Sequence, residues 1–102
     1  MLQELCRLRS KHKFLLLVDD AHGTLVLGTS GGGVSEMTKT SASIDVHVGT
    51  LSKAVGAHGG FVACSSAIKT LLVNNGRAYT YSTALPIPTV AGALAALDVF
   101  DR

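Results

Sequence analysis

Five consecutive apolar residues, Phe14-Leu15-Leu16-Leu17-Val18, run straight into two acids, Asp19-Asp20, and this stretch constrains the fold more than any other. A segment of that length, apolar at every position, reads as a β-strand buried on both faces. Strands of this kind belong to parallel sheets with helices packed on either side. Composition agrees: 47% of residues are hydrophobic and only 16% charged, which argues against disorder. The apolar residues are mostly Leu, Val and Ala, and Trp is absent. The expected class is α/β, a mostly parallel sheet with flanking helices, and 102 residues allow at most one small domain.

The remaining elements follow from periodicity and punctuation. Leu2, Leu5, Cys6 and Leu8 fall at helical spacing, with Arg7, Arg9, Ser10 and Lys11 opposite. Gly23 to Gly33 holds five glycines and reads as a loop close to something bound. Ile44–Val48 is a second strand, Gly59–Cys64 a third and Tyr79–Ser82 a fourth. Between the last two lies a helix from Ser66 to Asn74, capped by Ser65 or Ser66 and stopped at Asn74-Asn75-Gly76. Pro86 and Pro88 introduce a final Ala-rich helix from about Thr89 to Phe100. The first helix begins at residue 2 and the last runs into Asp101-Arg102 without a stop signal, so both ends read as cut.

Several function classes are disfavoured. The net charge is +2, and Arg7, Arg9, Lys11 and Lys13 read as a solvated helix face, with no interleaved aromatics to suit a nucleic-acid binder. No stretch approaches the ~18 apolar residues of a membrane span, and no charged region with an apolar core marks a secretory signal. Cys6 and Cys64 lack CxxC spacing and read as small core residues in a reducing compartment. The default location is the cytoplasm, with organelle targeting left open because the N-terminus reads as truncated.

The chemistry sits after the strands. In open α/β sheets, ligands bind outside the carboxyl ends of the strands. Asp19 and His22 follow the first strand, Thr50 and Lys53 the second, so the four could share one crevice. A lysine to hold an aldehyde and a carboxylate to keep a ring nitrogen protonated is what pyridoxal phosphate needs. His22 could reach the phenolic oxygen of that cofactor. The hydroxyls of Thr50, and of Ser82 and Thr83 after the expected fourth strand, could bond its phosphate.

The blocks VDDAHG (18–23), GGG (31–33), VGTLSKAVGAHGGF (48–61) and YSTALP (81–86) together resemble the α-oxoamine synthases, fold-type-I pyridoxal-phosphate enzymes. The resemblance spans nearly the entire chain. It implies that Lys53 is the Schiff-base lysine and base at the substrate Cα, that Asp19 pairs with the pyridine nitrogen, and that His22 and Thr50 contact the cofactor. It also implies that Ser82 and Thr83 complete the phosphate cup of the neighbouring subunit in a homodimer. The AHG, GGG, GAHGGF and YSTALP combination is most similar to the branch that condenses L-alanine with a pimeloyl thioester, with decarboxylation, in biotin biosynthesis. Glycine C-acetyltransferases, 5-aminolevulinate synthases and serine palmitoyltransferases share the core and differ in acyl donor and amino acid. Members of the family are much longer, with ring-stacking elements upstream and a further C-terminal domain. The resemblance thus implies a partial large domain, residues 1–102, inactive alone or serving as a non-catalytic dimer partner.

Other readings remain for single residues. Lys53 could be a solvated loop lysine, and Asp19-Asp20 a cap after a strand. His22 could join Asp19 on a metal, although His47, His58 and Cys64 supply no convincing third ligand. His12 reads as surface, His47 as lying on a sheet face and His58 as a wall of the site. Gly28-Thr29-Ser30-Gly31-Gly32 fits the G-x-S-x-G elbow of serine hydrolases, with Asp45 and His58 in triad order. The elbow needs a strand before the serine and a helix after it. Gly31-Gly32-Gly33 is expected to break any helix there, at about 1 kcal/mol per glycine. Phosphate-loop and dinucleotide fingerprints are absent.

Overall fold

The computed structural model describes residues 1–101. Helix α1 (Leu2–His12) ends at Lys13, whose left-handed backbone (φ 57°) turns the chain and returns its N–H to Arg9 O. Strand β1 (Leu17–Asp19) follows, then helix α2 (Gly33–Met37), a 3-10 turn at Ser41–Ser43, and strands β2 (Val46–Thr50) and β3 (Gly60–Cys64). Helices α3 (Ser66–Asn75), α4 (Arg77–Tyr81) and α5 (Ile87–Phe100) complete the described residues.

The sheet has order β1-β2-β3 and is mixed. Strands β1 and β2 run parallel, with Leu17 opposite Val46 and Asp19 opposite Val48. Strand β3 runs antiparallel to β2, from Thr50 opposite Gly60 to Val46 opposite Cys64. One pair is parallel, as expected, and the other antiparallel, and connection length explains the difference. A parallel return needs a crossover of about a dozen residues or more. The long β1–β2 link contains α2 and supplies one, whereas residues 51–59 close a hairpin.

Strand β1 is also shorter than Phe14–Val18 and is not buried on both faces. Leu16 is buried with Cys6 and Ile44 and flanked by Leu2 and Val18, while Leu15 and Leu17 are 72% and 60% exposed. Helix α1 thus covers one face, and alternate residues point away from it. The spread is flat, 45 × 35 × 18 Å, with a radius of gyration of 14.9 Å, against about 13 Å for a typical 100-residue domain.

The fourth expected strand is a helix. Residues 77–81 coil as α4, with Thr80 N–H donating to Gly76 O at 2.9 Å. The Arg77 guanidinium lies 5.6 Å from the centre of the Tyr81 ring, one helical turn on. That local pairing supports the helix, and strand pairing ends at β3, so the β-propensity of Tyr-Thr-Tyr finds no partner strand among the described residues. Helix α3 forms as expected, with Ser65 Oγ accepting from Ile68 N–H. Among the described residues no helix is long and apolar enough to cross a membrane.

The Arg9 side chain leaves the solvated face expected of it. It grips Asp45 through both carboxylate oxygens, Nε to Oδ2 at 2.6 Å and a second, shorter contact from the terminal nitrogen to Oδ1. Asp45 Oδ2 also accepts from Leu16 N–H at 2.8 Å. The Arg9 bond and then the Leu16 N–H lower the Asp45 carboxyl to about 2. This clamp ties α1 to the start of β1 and β2.

Candidate functional site

Strands β1 and β2 are parallel and in register, so their carboxyl ends finish at the same edge of the sheet. Asp19 ends β1, and Thr50 ends β2 two residues past the partner of Asp19. His22 lies in the turn after β1 and Lys53 in the loop after β2, both exposed. Of the predicted residues, Asp19, His22, Thr50 and Lys53 therefore gather at this edge.

The two neighbouring acids do different work. Asp19 is exposed, and its Oδ1 accepts from Ala21 N–H at 3.1 Å, forming a tight turn. Its second oxygen is unengaged among the described residues. Asp20 is partly buried, and its Oδ2 accepts from Val34 N–H at 2.7 Å in the first turn of α2. The reading of these acids as caps holds for both, Asp19 on the turn that follows the strand and Asp20 on the first turn of α2.

Thr50 hydroxyl is committed to the shape of the lysine loop. It donates to Gly59 O at 3.1 Å, lies 2.7 Å from Ser52 Oγ, and accepts from Ser52 N–H at 3.2 Å. Leu51 N–H to Gly59 O and Ala57 N–H to Leu51 O, at 2.9 and 2.8 Å, cinch the loop from within. Val55 is buried beneath it, and the Lys53 carbonyl accepts from Gly56 N–H at 3.0 Å. The Lys53 ammonium makes no ion pair or hydrogen bond among the described residues. His58 is exposed in the same loop.

Ser82 and Thr83 follow α4 rather than a strand, in an extended exposed segment. Leu85 brings this segment to the lysine loop, because its methyl groups occupy the space that a Cβ on Gly59 would need. The hydroxyls of Ser82 and Thr83 have no partner among the described residues.

Under the site, a largely apolar cavity of about 560 Å³ runs between Asp20, Leu25, Gly32, Leu51, Val55 and Phe61. Glycine is required at Gly31 on its wall and at Gly49 in the adjoining strand β2. The ring of Phe61 fills the Cβ position of Gly49, and that of Phe100 the Cβ position of Gly31, where φ is +73°.

Glu36 was not foreseen. Its carboxylate accepts from Thr29 Oγ1 (2.7 Å), Ser30 N–H (3.0 Å), Ser30 Oγ (2.9 Å) and Gly32 N–H (2.7 Å). The Thr29 hydroxyl, then the Ser30 and Gly32 N–H groups, lower its carboxyl to about 2. This web disposes of the hydrolase elbow. Ser30 hydroxyl donates to Glu36, turns rather than a strand precede it, and Asp45 is occupied by Arg9 at the opposite end of β2 from the His58 loop. A five-residue strand separates those ends by about 16 Å. The expectation that the glycines forbid a helix is corrected, however. Helix α2 starts at Gly33, whose N–H donates to Leu27 O and whose successor Val34 donates to Asp20, while Glu36 reaches back to the Gly32 N–H just before the helix. Among the described residues no cluster of His, Cys, Asp and Glu suits a metal ion. Cys6 is a buried free thiol, Cys64 a half-buried one, and His47 lies half-buried on β2.

Known proteins of similar sequence and shape agree with one another. The chain matches the family described as Aminotransferase class I and II over residues 1–101. The 8-amino-7-oxononanoate synthase of Arabidopsis thaliana is 53% identical over 98 residues, covering 96% of this chain and 21% of the relative. That of Geobacter sulfurreducens is 47% identical over 100 residues, with 98% and 26% covered. Among solved structures, the Sphingomonas wittichii serine palmitoyltransferase superposes with a TM-score of 0.89 at 36% identity, covering 97% of this chain and 25% of that one. The serine palmitoyltransferase of S. paucimobilis, solved with a bound PLP–myriocin aldimine, gives 0.89 at 33%, with 97% and 26% covered. The 8-amino-7-oxononanoate synthase from Francisella tularensis gives 0.74 at 35%, with 85% and 26% covered. The chain spans about a fifth to a quarter of the length of the curated relatives it matches.

Proposed function

The chain belongs to the aminotransferase class I and II family, and we propose that it carries the lysine-bearing part of a pyridoxal-phosphate site in an α-oxoamine synthase. The reaction on this reading joins L-alanine to a pimeloyl thioester with loss of carbon dioxide, as in biotin biosynthesis. The observation that carries it is the shared edge. Asp19 and Lys53 leave the carboxyl ends of two adjacent parallel strands, one with a carboxylate oxygen and the other with an ammonium that are unengaged among the described residues.

That donor set fits the cofactor. Lys53 Nζ would hold its aldehyde carbon, Asp19 its ring nitrogen and His22 its phenolic oxygen. The cofactor, once bound, supplies an electron sink for the bonds broken at the substrate Cα. Displaced from the aldehyde carbon by the substrate's amino group, Lys53 Nζ would be free to take and return the Cα proton, from a loop whose base is fixed by Thr50, Leu51 and Gly59. Thr50 hydroxyl would have to loosen from Gly59 O to serve the phosphate. The working assembly is a homodimer in which Ser82 and Thr83 reach the neighbouring subunit's phosphate, supported by their exposure and by hydroxyls without a partner among the described residues. Residues 1–102 are, on this reading, part of the large domain.

Borohydride reduction after incubation with pyridoxal phosphate, followed by peptide mapping, tests the proposal. A pyridoxyl adduct concentrated on Lys53 and lost in K53A is expected. Equal labelling of Lys11, Lys13, Lys39, Lys53 and Lys69 would refute it. The close superposition on serine palmitoyltransferases favours a second reading, with serine as the amino acid. A change in the absorption of the cofactor-loaded chain with L-serine but not L-alanine would select it.

A further inference from the structure

Asp20 binds three segments together at the root of the site. Its N–H donates to Val48 O at 2.8 Å, extending the β1–β2 ladder by one step. Its carbonyl accepts from Gly23 N–H and Thr24 N–H, both at 3.0 Å, and from Thr24 Oγ1 at 2.9 Å. Its carboxylate reaches across the glycine-rich loop to Val34 N–H. The carboxylate occupies the space that a Cβ on Gly23 or on Gly33 would fill. Both glycines are therefore needed for Asp20 to stand where it does.

His22 lies inside the turn that these bonds close, and Asp19 is the residue just before Asp20. Alternation along the strand sends neighbouring side chains to opposite sides. One acid of the pair is thereby left open at the edge while the other is locked into the loop.

We propose that Asp20 is a positioning residue, holding the turn that presents Asp19 and His22 to the cofactor by accepting the Val34 N–H across the glycine loop. The role rests on the cofactor reading above. It requires an acceptor at this point, and asparagine offers one in the same place, whereas alanine offers none.

The test uses the full 102-residue chain, with D20A and D20N each read in two ways. Amide hydrogen exchange at Ala21, His22, Gly23, Thr24 and Val34, followed by NMR without cofactor, is expected to quicken about tenfold or more in D20A and to stay near the parent in D20N. The ratio of borohydride-trapped pyridoxyl label on Lys53 to the mean on the other four lysines is expected to fall in D20A and recover in D20N. Parental exchange in D20A overturns the proposal, and so does faster exchange with undiminished selectivity, which would leave Asp20 a purely structural tie. If D20A does not fold, D20N decides, with parental selectivity supporting the role and lost selectivity overturning it. If the parent shows no preference for Lys53, the cofactor reading fails by itself. The exchange rates then still decide whether Asp20 holds the His22 turn.

Discussion

Gly33 and Gly56 share left-handed backbone, at φ +78° and +69°, yet alanine at the two positions is expected to cost different amounts. At Gly56 nothing lies within 4 Å of the added Cβ, so only backbone strain is at issue. That strain is about 1–2 kcal/mol, offset by about 0.4–1 kcal/mol from the reduced freedom of the unfolded chain. A net loss of about 0–1.5 kcal/mol follows for G56A. At Gly33 the Cβ would land in the Asp20 carboxylate and push it off Val34 N–H. Losing a hydrogen bond to a charged acceptor adds about 1.5–3 kcal/mol. Urea unfolding followed by far-UV circular dichroism measures the gap. With a slope of about 1–3 kcal/mol per molar urea, the two midpoints should differ by about 1 M. In a D20A background the extra loss should vanish, because the carboxylate is no longer there to displace. Equal midpoints for G33A and G56A, or an unchanged gap in D20A, would refute the reasoning.

Acid sensitivity is expected from Glu36 and Asp45, both held near 2, below their ordinary 4.5 and 3.8. A carboxyl depressed in the folded state contributes fully above its ordinary value and loses that contribution as pH falls toward the folded one. Stability should therefore decline between about pH 4.5 and 2, and E36Q or R9A should flatten that decline in melts across the range. Ser30 should stay unlabelled by a fluorophosphonate, since its hydroxyl donates to Glu36, and labelling seen by mass spectrometry would reopen the hydrolase reading. The Ser65 cap is long at 3.4 Å, so S65A should cost only about 0.5 kcal/mol, the low end for such caps, in thermal melts.

How far the sequence reached depended on how local each cause was. The site edge was legible because Asp19, His22, Thr50 and Lys53 sit at fixed offsets from strand ends. The 51–59 hairpin was legible in principle, since nine residues cannot hold a crossover helix, but the apolar runs alone suggested parallel strands. Burial of β1 was overread, because an all-apolar run says nothing about which face a neighbour covers. Tyr79–Tyr81 misled through propensity, where no described strand pairs with them and an Arg77–Tyr81 contact one turn apart supports the helix. Glu36 carried no motif, and the Arg9–Asp45 grip joins residues 36 positions apart, a pairing that no local pattern announces.

The mixed sheet gives the two halves of the site different histories during folding. Thr50 and Gly59, which close the lysine loop, are 9 residues apart, whereas Leu16 and Asp45, which bring the aspartate's strand alongside, are 29 apart. Closing the longer stretch costs about 1 kcal/mol more in chain entropy. The lysine's hairpin can therefore assemble first and act as the template against which the strand bearing Asp19 docks. An error in the glycine-rich crossover would then leave a formed loop waiting for a partner, and the late step would be the arrival of the acid.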